Sequence, residues 1–286
     1  MSEATTAALT MRDVHKRFRR TEALNGCSFE VERGSITALV GANGAGKSTL
    51  MSIAVGLLEA DSGEVTVLGR RPDRRGICPG LAYVAQHKPL YRGFSVADIL
   101  LFGEKTNTTW DRDYASRLVA EAQIPLSARV KTLSPGHRAR VALAVALGRR
   151  PDVLLLDEPL AELDPVARRS VVRTLMEDAA ERGTTIVLSS HVLSEVAEIA
   201  DRLIILGAGR VRLSGALDDL LDEHYLLRGA GDPHGVVGTG AIVESHQRTH
   251  LVRGPRPAVS DGWHTERPNL DDIVLAYLTT TDEEAA

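Results

Sequence analysis

The segment Gly41-Ala-Asn-Gly-Ala-Gly-Lys-Ser-Thr49 constrains this chain more than any other stretch of it. It fits G-x-x-x-x-G-K-[ST], and it stands between an apolar run, Ser35–Val40, and a helix-period stretch, Gly46–Leu57. Gly41, Gly44 and Gly46 let the backbone curl, so that with Asn43 and Ala45 its N–H groups turn inward towards phosphate oxygens. The following helix adds the positive end of its dipole. Lys47 places a point charge on the β- and γ-phosphates, the Ser48 hydroxyl can ligate Mg²⁺, and Thr49 closes the pattern. A glycine turn can match such a pattern by accident. The strand–loop–helix context is what argues against that, and it commits this part of the chain to an α/β fold that binds a nucleotide.

The surrounding sequence agrees. Short Val/Ile/Leu runs, Leu81–Ala85, Val153–Asp157, Thr185–Ser189 and Leu203–Leu206, alternate with longer helical patterns, the mark of a largely parallel sheet. Asp164-Pro165 reads as an N-cap followed by proline at the first helical position, and Gly183 as the stop of that helix. Ser95 to Asp98 reads as a capping box. From about 89 to 147 the chain shows helical patterns and no convincing strand, so a helical subdomain is inserted there. After about 215 the composition shifts. Residues 229–269 are rich in Gly, His, Pro and Arg, and Leu270, Ile273, Val274, Tyr277 and Leu278 then recur at helical spacing. The expected division is 1–215 for the nucleotide-binding domain and 216–286 for a small appendage.

Val153-Leu-Leu-Leu-Asp157-Glu158 is an apolar strand ending in two carboxylates. In a parallel sheet the strand C-termini face the ligand crevice. Asp157 is placed to hold Mg²⁺ through its water shell, and Glu158 to orient or deprotonate the attacking water. Taken alone, the run also fits a strand entering an acidic loop. Gln86 ends the strand Leu81–Ala85, and His191 follows Thr185–Ser189; each by itself is a polar residue at a strand end.

Composition narrows the class. The 286 residues are 43% hydrophobic and 25% charged, enough for a sizeable core. A net charge of −4 argues against a general nucleic-acid binder, so no nucleic-acid partner is expected. Two cysteines, Cys27 and Cys78, suggest ordinary thiols in a reducing compartment. The opening MSEATTAALT lacks the pattern of a secretory signal, and no apolar run approaches the roughly 20 residues of a membrane span. The clusters His15–Arg20 and Arg70–Arg75 are expected to be solvated loops.

Taken in order, Phe18, Gly41–Thr49, Gln86, Leu133-Ser-Pro-Gly-His137, Leu154–Glu158, Leu163-Asp164 and His191 resemble the ABC ATPase family, over residues 9 to 215 or so. The resemblance implies a P-loop NTPase core with an inserted helical subdomain, a small antiparallel β part and a C-terminal α+β appendage. It implies ATP and Mg²⁺ as ligands. Phe18 would stack on adenine, and Gln86 would touch Mg²⁺ and report on a membrane partner. Ser134 and Gly136 would reach the γ-phosphate held by a second ATPase subunit, identical or different, with Asp164 near the dimer interface. Glu158, His191, Lys47 and Gln86 would carry hydrolysis, with Ser48, Gln86 and Asp157 on the metal.

The partner would be a separate polytopic membrane subunit, with this chain cytoplasmic and peripheral at the inner face of the membrane. The final helix, Asn269–Leu278, resembles that of bacterial drug and polysaccharide exporters, so an exporter is expected. The sequence departs from the family pattern at Pro135 and His137, where the signature is usually Gly and Gln, and at Ala161-Glu162 of the acidic turn. Those changes keep a second reading in play, a slow or non-hydrolysing ATP-dependent dimerisation switch. A third reading, a soluble protein acting on ribosomes, is disfavoured by the single phosphate loop and the acidic charge.

Overall fold

The computed structural model describes residues 7–73, 78–161, 163–259 and 262–279. Glu162 of the acidic turn and Arg74-Arg75 of the second basic cluster lie outside the described residues.

The N-terminal part opens with a hairpin, the start of the small antiparallel β part that the resemblance implies. Strand β1 (Ala7–Phe18) pairs antiparallel with β2 (Thr21–Glu32) across a two-residue turn, where Arg19 takes a positive φ of 53°. Strand β4 (Ser62–Val67) joins the other side of β1. The basic cluster His15–Arg20 is therefore not a loop: it forms the end of β1 and the hairpin turn, and Lys16 is tied to Asp61 at 2.6 Å.

The main sheet has six strands, in the order β5 (Leu81–Val84), β6 (Val153–Leu156), β7 (Thr185–Ser190), β3 (Ile36–Val40), β8 (Arg202–Gly207) and β9 (Arg210–Ala216). All neighbours are parallel except the β8–β9 hairpin. Side chains alternate between its faces with the period of two that a strand dictates. Leu39, Leu155, Val187, Ile204 and Leu206 point to one side, where they pack with Leu50 and Met51 of helix α1 (Lys47–Ala54) and with Leu9, Leu24 and Val31 of the small sheet. Ala38, Leu154, Leu156, Ile186, Leu188, Leu203 and Ile205 point to the other.

That second face carries α4 (Pro135–Gly148) and α5 (Pro165–Arg182). The start and stop signals of α5 hold: Asp164 accepts hydrogen bonds from the N–H groups of Val166 and Ala167, and Gly183 ends the helix at φ 68°. Helices α2 (Val96–Thr106) and α3 (Arg112–Glu121) build a separate small core with α4 around Val96, Ile99, Val119 and Val141. Ser95 caps α2 in the capping box with Asp98 that its sequence implies.

A buried polar tie joins the helical part to the main body. Tyr114 on α3 donates to Asp178 on α5 at 3.0 Å, and Thr184 donates to the other Asp178 oxygen at 2.6 Å. Arg150 lies over the Tyr114 ring at 3.9 Å and also binds Asp111, the N-cap of α3.

The C-terminal stretch is more ordered than its composition suggests. After the short helices α6 (Leu193–Val196) and α7 (Leu217–Glu223), a four-stranded antiparallel sheet runs in the order β11 (Ala241–His246), β12 (Thr249–Arg253), β10 (His224–Gly229), β13 (Trp263–Glu266). The expected last helix is present as α8 (Leu270–Thr279). Ile273, Val274 and Ala276 are buried in the same apolar cluster as Leu203, Ile205 and Leu213 of the main sheet. Helix α8 thus clamps the small sheet onto the main sheet. No helix among the described residues is long and apolar enough to cross a membrane.

Candidate nucleotide site

Three strand ends converge. β3 runs into the phosphate loop, β7 into His191, and β6 into Asp157 and Glu158, with β7 lying between the other two in the sheet. The loop is shaped by close backbone contacts. A Cβ at Gly41 would stand 2.3 Å from the Leu206 carbonyl oxygen, and one at Gly46, whose φ is 108°, would stand 2.5 Å from that of Ala23. Gly44, at φ 84°, faces open space. Only glycine satisfies the first two approaches.

Lys47, buried at 6% exposure, turns back into the curl of the loop. Its ammonium donates to the Gly41 carbonyl at 2.6 Å and to that of Ala42 at 3.3 Å, and stands 3.6 Å from a Glu158 oxygen. The other Glu158 oxygen is 2.8 Å from His191 Nδ1. The sequence-predicted Lys47, Glu158 and His191 are thus brought into one hydrogen-bonded and ion-paired chain. Glu158 is held in the left-handed region at φ 50°, an uncommon conformation for a residue with a Cβ. Such strain persists only where neighbours over-determine it.

The donor set suits both expected ligands. The N-terminus of α1 and the loop between Gly41 and Lys47 form a concave run of backbone donors, the chemistry that takes up phosphate. Asp157, buried at 2% exposure, the exposed Ser48 hydroxyl and the exposed Gln86 amide are oxygen donors, the type that hard divalent cations select. Asn43 and Gly44 are exposed, Ala45 buried and Thr49 half-buried along the same turn. No His, Cys, Asp and Glu cluster elsewhere among the described residues is built for a metal.

Two residues beside Asp157 belong to no motif. Ser189, near the end of β7 and fully buried, donates to Asp157 Oδ1 at 2.7 Å and accepts the Glu158 N–H at 2.8 Å. Tyr83 on β5 stands beside Asp157 and Ser52. Burial, and then the Asp157 charge, push its phenol up to about 12, so it stays protonated beside the carboxylate. Only the order β5-β6-β7 signals this grouping, since it sets three strand ends side by side.

The remaining expected residues do not join this bonded chain. Phe18 ends β1 with its ring 45% exposed beside the Lys16 ammonium at 5.7 Å, so it is not a core phenylalanine. Ser134 caps α4 by accepting the His137 N–H at 3.1 Å, and Pro135 takes the first helical position. Gly136 faces Leu163 and Ala167, where a Cβ would meet only ordinary contacts, the nearest at 3.6 Å. Asp164 is engaged as the N-cap of α5, and the N–H groups it accepts hold its carboxyl below the usual carboxylate range.

Residues 24–161 match the family described as ABC transporter. Among curated proteins, the sulfate/thiosulfate import ATP-binding protein CysA of Pseudomonas putida is 32% identical over 226 residues, 76% of this chain and 69% of the relative. The chain belongs to the ABC transporter family.

Other members are similar to a like degree. The CysA protein of Mesorhizobium japonicum is 35% identical over 73% of this chain and 64% of its own length, and that of Mycobacterium tuberculosis (strain H37Rv) is 35% identical over 76% and 64%. The chain therefore spans just under two thirds of these two relatives. A solved structure described as the ATP binding subunit of an ABC transporter superposes with a TM-score of 0.69 at 29% identity, covering 75% of this chain and 92% of that one. The P-loop NTPase fold of the ABC ATPases, with its inserted helices and its parallel and antiparallel sheets, is thereby established.

The expected exporter branch is not what these ABC transporter relatives support, because the curated ones are named as import proteins. An Atm1-family ABC exporter with ATP bound does superpose, at a TM-score of 0.66 and 27% identity over 78% of this chain and 41% of that one. Helix α8, the basis of the exporter expectation, buries Ile273, Val274 and Ala276 in the cluster that covers the main sheet.

Proposed function

We propose that this chain binds Mg·ATP and hydrolyses it as the ATP-binding subunit of an ABC transporter, acting with a second such subunit around two nucleotides to drive a separate membrane chain. The observation that carries the proposal is the bonded chain from the phosphate loop through Lys47 and Glu158 to His191. Lys47 and the loop amides would hold the β- and γ-phosphates. Ser48, Gln86 and Asp157 would hold Mg²⁺, which when bound offsets the phosphate charge. Glu158 would take the proton of the attacking water, and His191, on its other oxygen, would keep that carboxylate aimed. Phe18, exposed at the end of β1, is free to take an adenine ring.

Ser134 and Gly136 would reach the γ-phosphate of the nucleotide held by the second subunit, and the same residues of that subunit would complete the nucleotide held here, with Asp164 at the seam. Pro135 withdraws one backbone donor from that surface, which favours slow turnover in the isolated subunit.

The division into a nucleotide-binding part, 1–215, and an appendage, 216–286, belongs to this proposal, as does a location on the cytoplasmic face of a membrane. Support for a membrane partner comes from an exposed aromatic group, Tyr91, Phe94 and Phe102, whose ring centroids lie 5.1 to 6.4 Å apart. A groove of about 240 Å³, lined by Leu57, Val84, Leu90, Ala142 and Val145, lies beside it next to the Gln86 turn. One solved relative, 29% identical, is described as part of an ABC transporter complex. Similarity to both import proteins and an exporter leaves direction to the membrane chain engaged, and that chain would also choose the cargo.

Purified protein is expected to hydrolyse ATP slowly and only with Mg²⁺. The Glu158→Gln variant should lose about 100-fold or more of that rate, as removal of a general base does, while an ATP-held dimer persists on size-exclusion chromatography. An ATP-held dimer of equal lifetime in both proteins would show that Glu158 is not catalytic and favour the dimerisation switch.

A further inference from the structure

Asp157 and Glu158 leave β6 in succession, yet nothing in β6 itself fixes how the two carboxylates stand to one another. The atom that does so belongs to another strand. Ser189 lies one strand over on β7 with no solvent exposure, and its hydroxyl makes two bonds of 2.7 and 2.8 Å, to Asp157 Oδ1 and to the Glu158 N–H. The directions are forced. An ionised carboxylate only accepts and a backbone N–H only donates, so the single Ser189 proton goes to Asp157 and a Ser189 lone pair takes Glu158. The bond to Glu158 is made at its backbone, at the residue held at φ 50°. It therefore holds the strained conformation that sends the side chain to Lys47 and His191. Tyr83 stands beside Asp157 from β5, the strand on the other side of β6.

We infer that Ser189 is a positioning residue for hydrolysis: one buried hydroxyl locks the metal-side carboxylate of Asp157 to the backbone of Glu158 and so sets where the Glu158 carboxylate stands. The inference rests on the hydrolysis reading above. Ser189 touches neither the phosphate loop nor Lys47 in the contacts described, so its loss should move Glu158 without weakening the hold on nucleotide.

The test compares wild type, Ser189→Ala, Ser189→Cys, Ser189→Thr and Glu158→Gln. Misplacing a catalytic group by about 1 Å costs on the order of 100-fold. On that scale Ser189→Ala should lower kcat by about 10- to 100-fold, with the KM for Mg·ATP changed by no more than about twofold. Binding of a fluorescent ATP analogue without Mg²⁺ should equal wild type. The ATP-held dimer of Ser189→Ala should outlast that of wild type, as in Glu158→Gln. Threonine, which keeps the hydroxyl, should restore most of kcat, and cysteine, near in size but a weak donor, should fall between threonine and alanine.

Wild-type kcat and dimer lifetime in Ser189→Ala would overturn the inference. So would a parallel loss of kcat, nucleotide affinity and melting temperature that neither threonine nor cysteine relieves, since that pattern marks a merely structural serine. A wild type that does not outpace Glu158→Gln would overturn the hydrolysis reading itself and the inference with it. A wild type that outpaces a trapped Glu158→Gln, together with a normal Ser189→Ala, would overturn the inference alone.

Discussion

Gly41 shows how little freedom single positions in the site have. A methyl group there would lie 2.3 Å from the Leu206 carbonyl, a backbone atom that cannot swing aside, and 3.2 Å from Ala45 Cβ. Gly41→Ala is therefore expected to lose about 1–3 kcal/mol from overpacking and to lose nucleotide binding through displacement of the loop. A thermal melt beside an ATP titration checks both, and unchanged affinity would contradict the close approach. The glycine was legible because its motif demands it. Ser189 and Tyr83 were not, because serine and tyrosine at strand ends are common and only their neighbours give them a task. The charges on Lys47 and Glu158 were legible as residue types, but not as a pair 3.6 Å apart inside the loop.

Elements carry their own logic. Pro135 departs from the expected signature but sits at the first position of α4, where an N–H has no partner within the helix, so the helix itself loses nothing by it. The tie between α3 and α5 is different, because it joins elements that sequence does not relate. Tyr114→Phe keeps the ring beneath Arg150 and removes the hydrogen bond to the buried Asp178. The expected cost is about 1–3 kcal/mol, the range for a buried acceptor left short of a donor. Urea unfolding should show that loss while ATP affinity in the monomer stays the same. Equal midpoints would mean that Thr184 and Arg182 satisfy Asp178 without the tyrosine.

At the scale of the whole molecule, His224 couples the C-terminal sheet to α8. Its ring is fully buried, with Nδ1 2.7 Å from the Leu220 carbonyl and Nε2 3.0 Å from the Tyr277 hydroxyl. Burial, more than the nearby Arg253 on β12, pushes its pKa down, while the Leu220 carbonyl and Glu223 on α7 oppose that. The folded state therefore favours the neutral ring, with Nδ1 donating and Nε2 accepting. As pH falls below about 6.5 the unfolded chain takes up a proton that the folded one resists, so stability present above that pH drains away with acid.

Melting temperature should accordingly fall as the pH drops below about 6.5. His224→Gln should be less stable at pH 7.5 but show a flatter decline over that range. An equal slope in both proteins would assign the acid sensitivity elsewhere, for instance to His250, whose pKa burial also lowers.

The sequence by itself determined the nucleotide-binding loop, the acidic strand, the order of the motifs and the caps of α2 and α5. These are local: a glycine loop, a run of apolar residues or a cap acts within a few positions of itself. It also gave α8 its amphipathic period. Only the tertiary structure decided that α8 spends that apolar face on the main sheet. It also decided that the basic stretch near Lys16 is a hairpin and that Ser189 and Tyr83 bracket Asp157. Strand order within a sheet follows from which apolar faces bury together over long separations, and no local pattern records it.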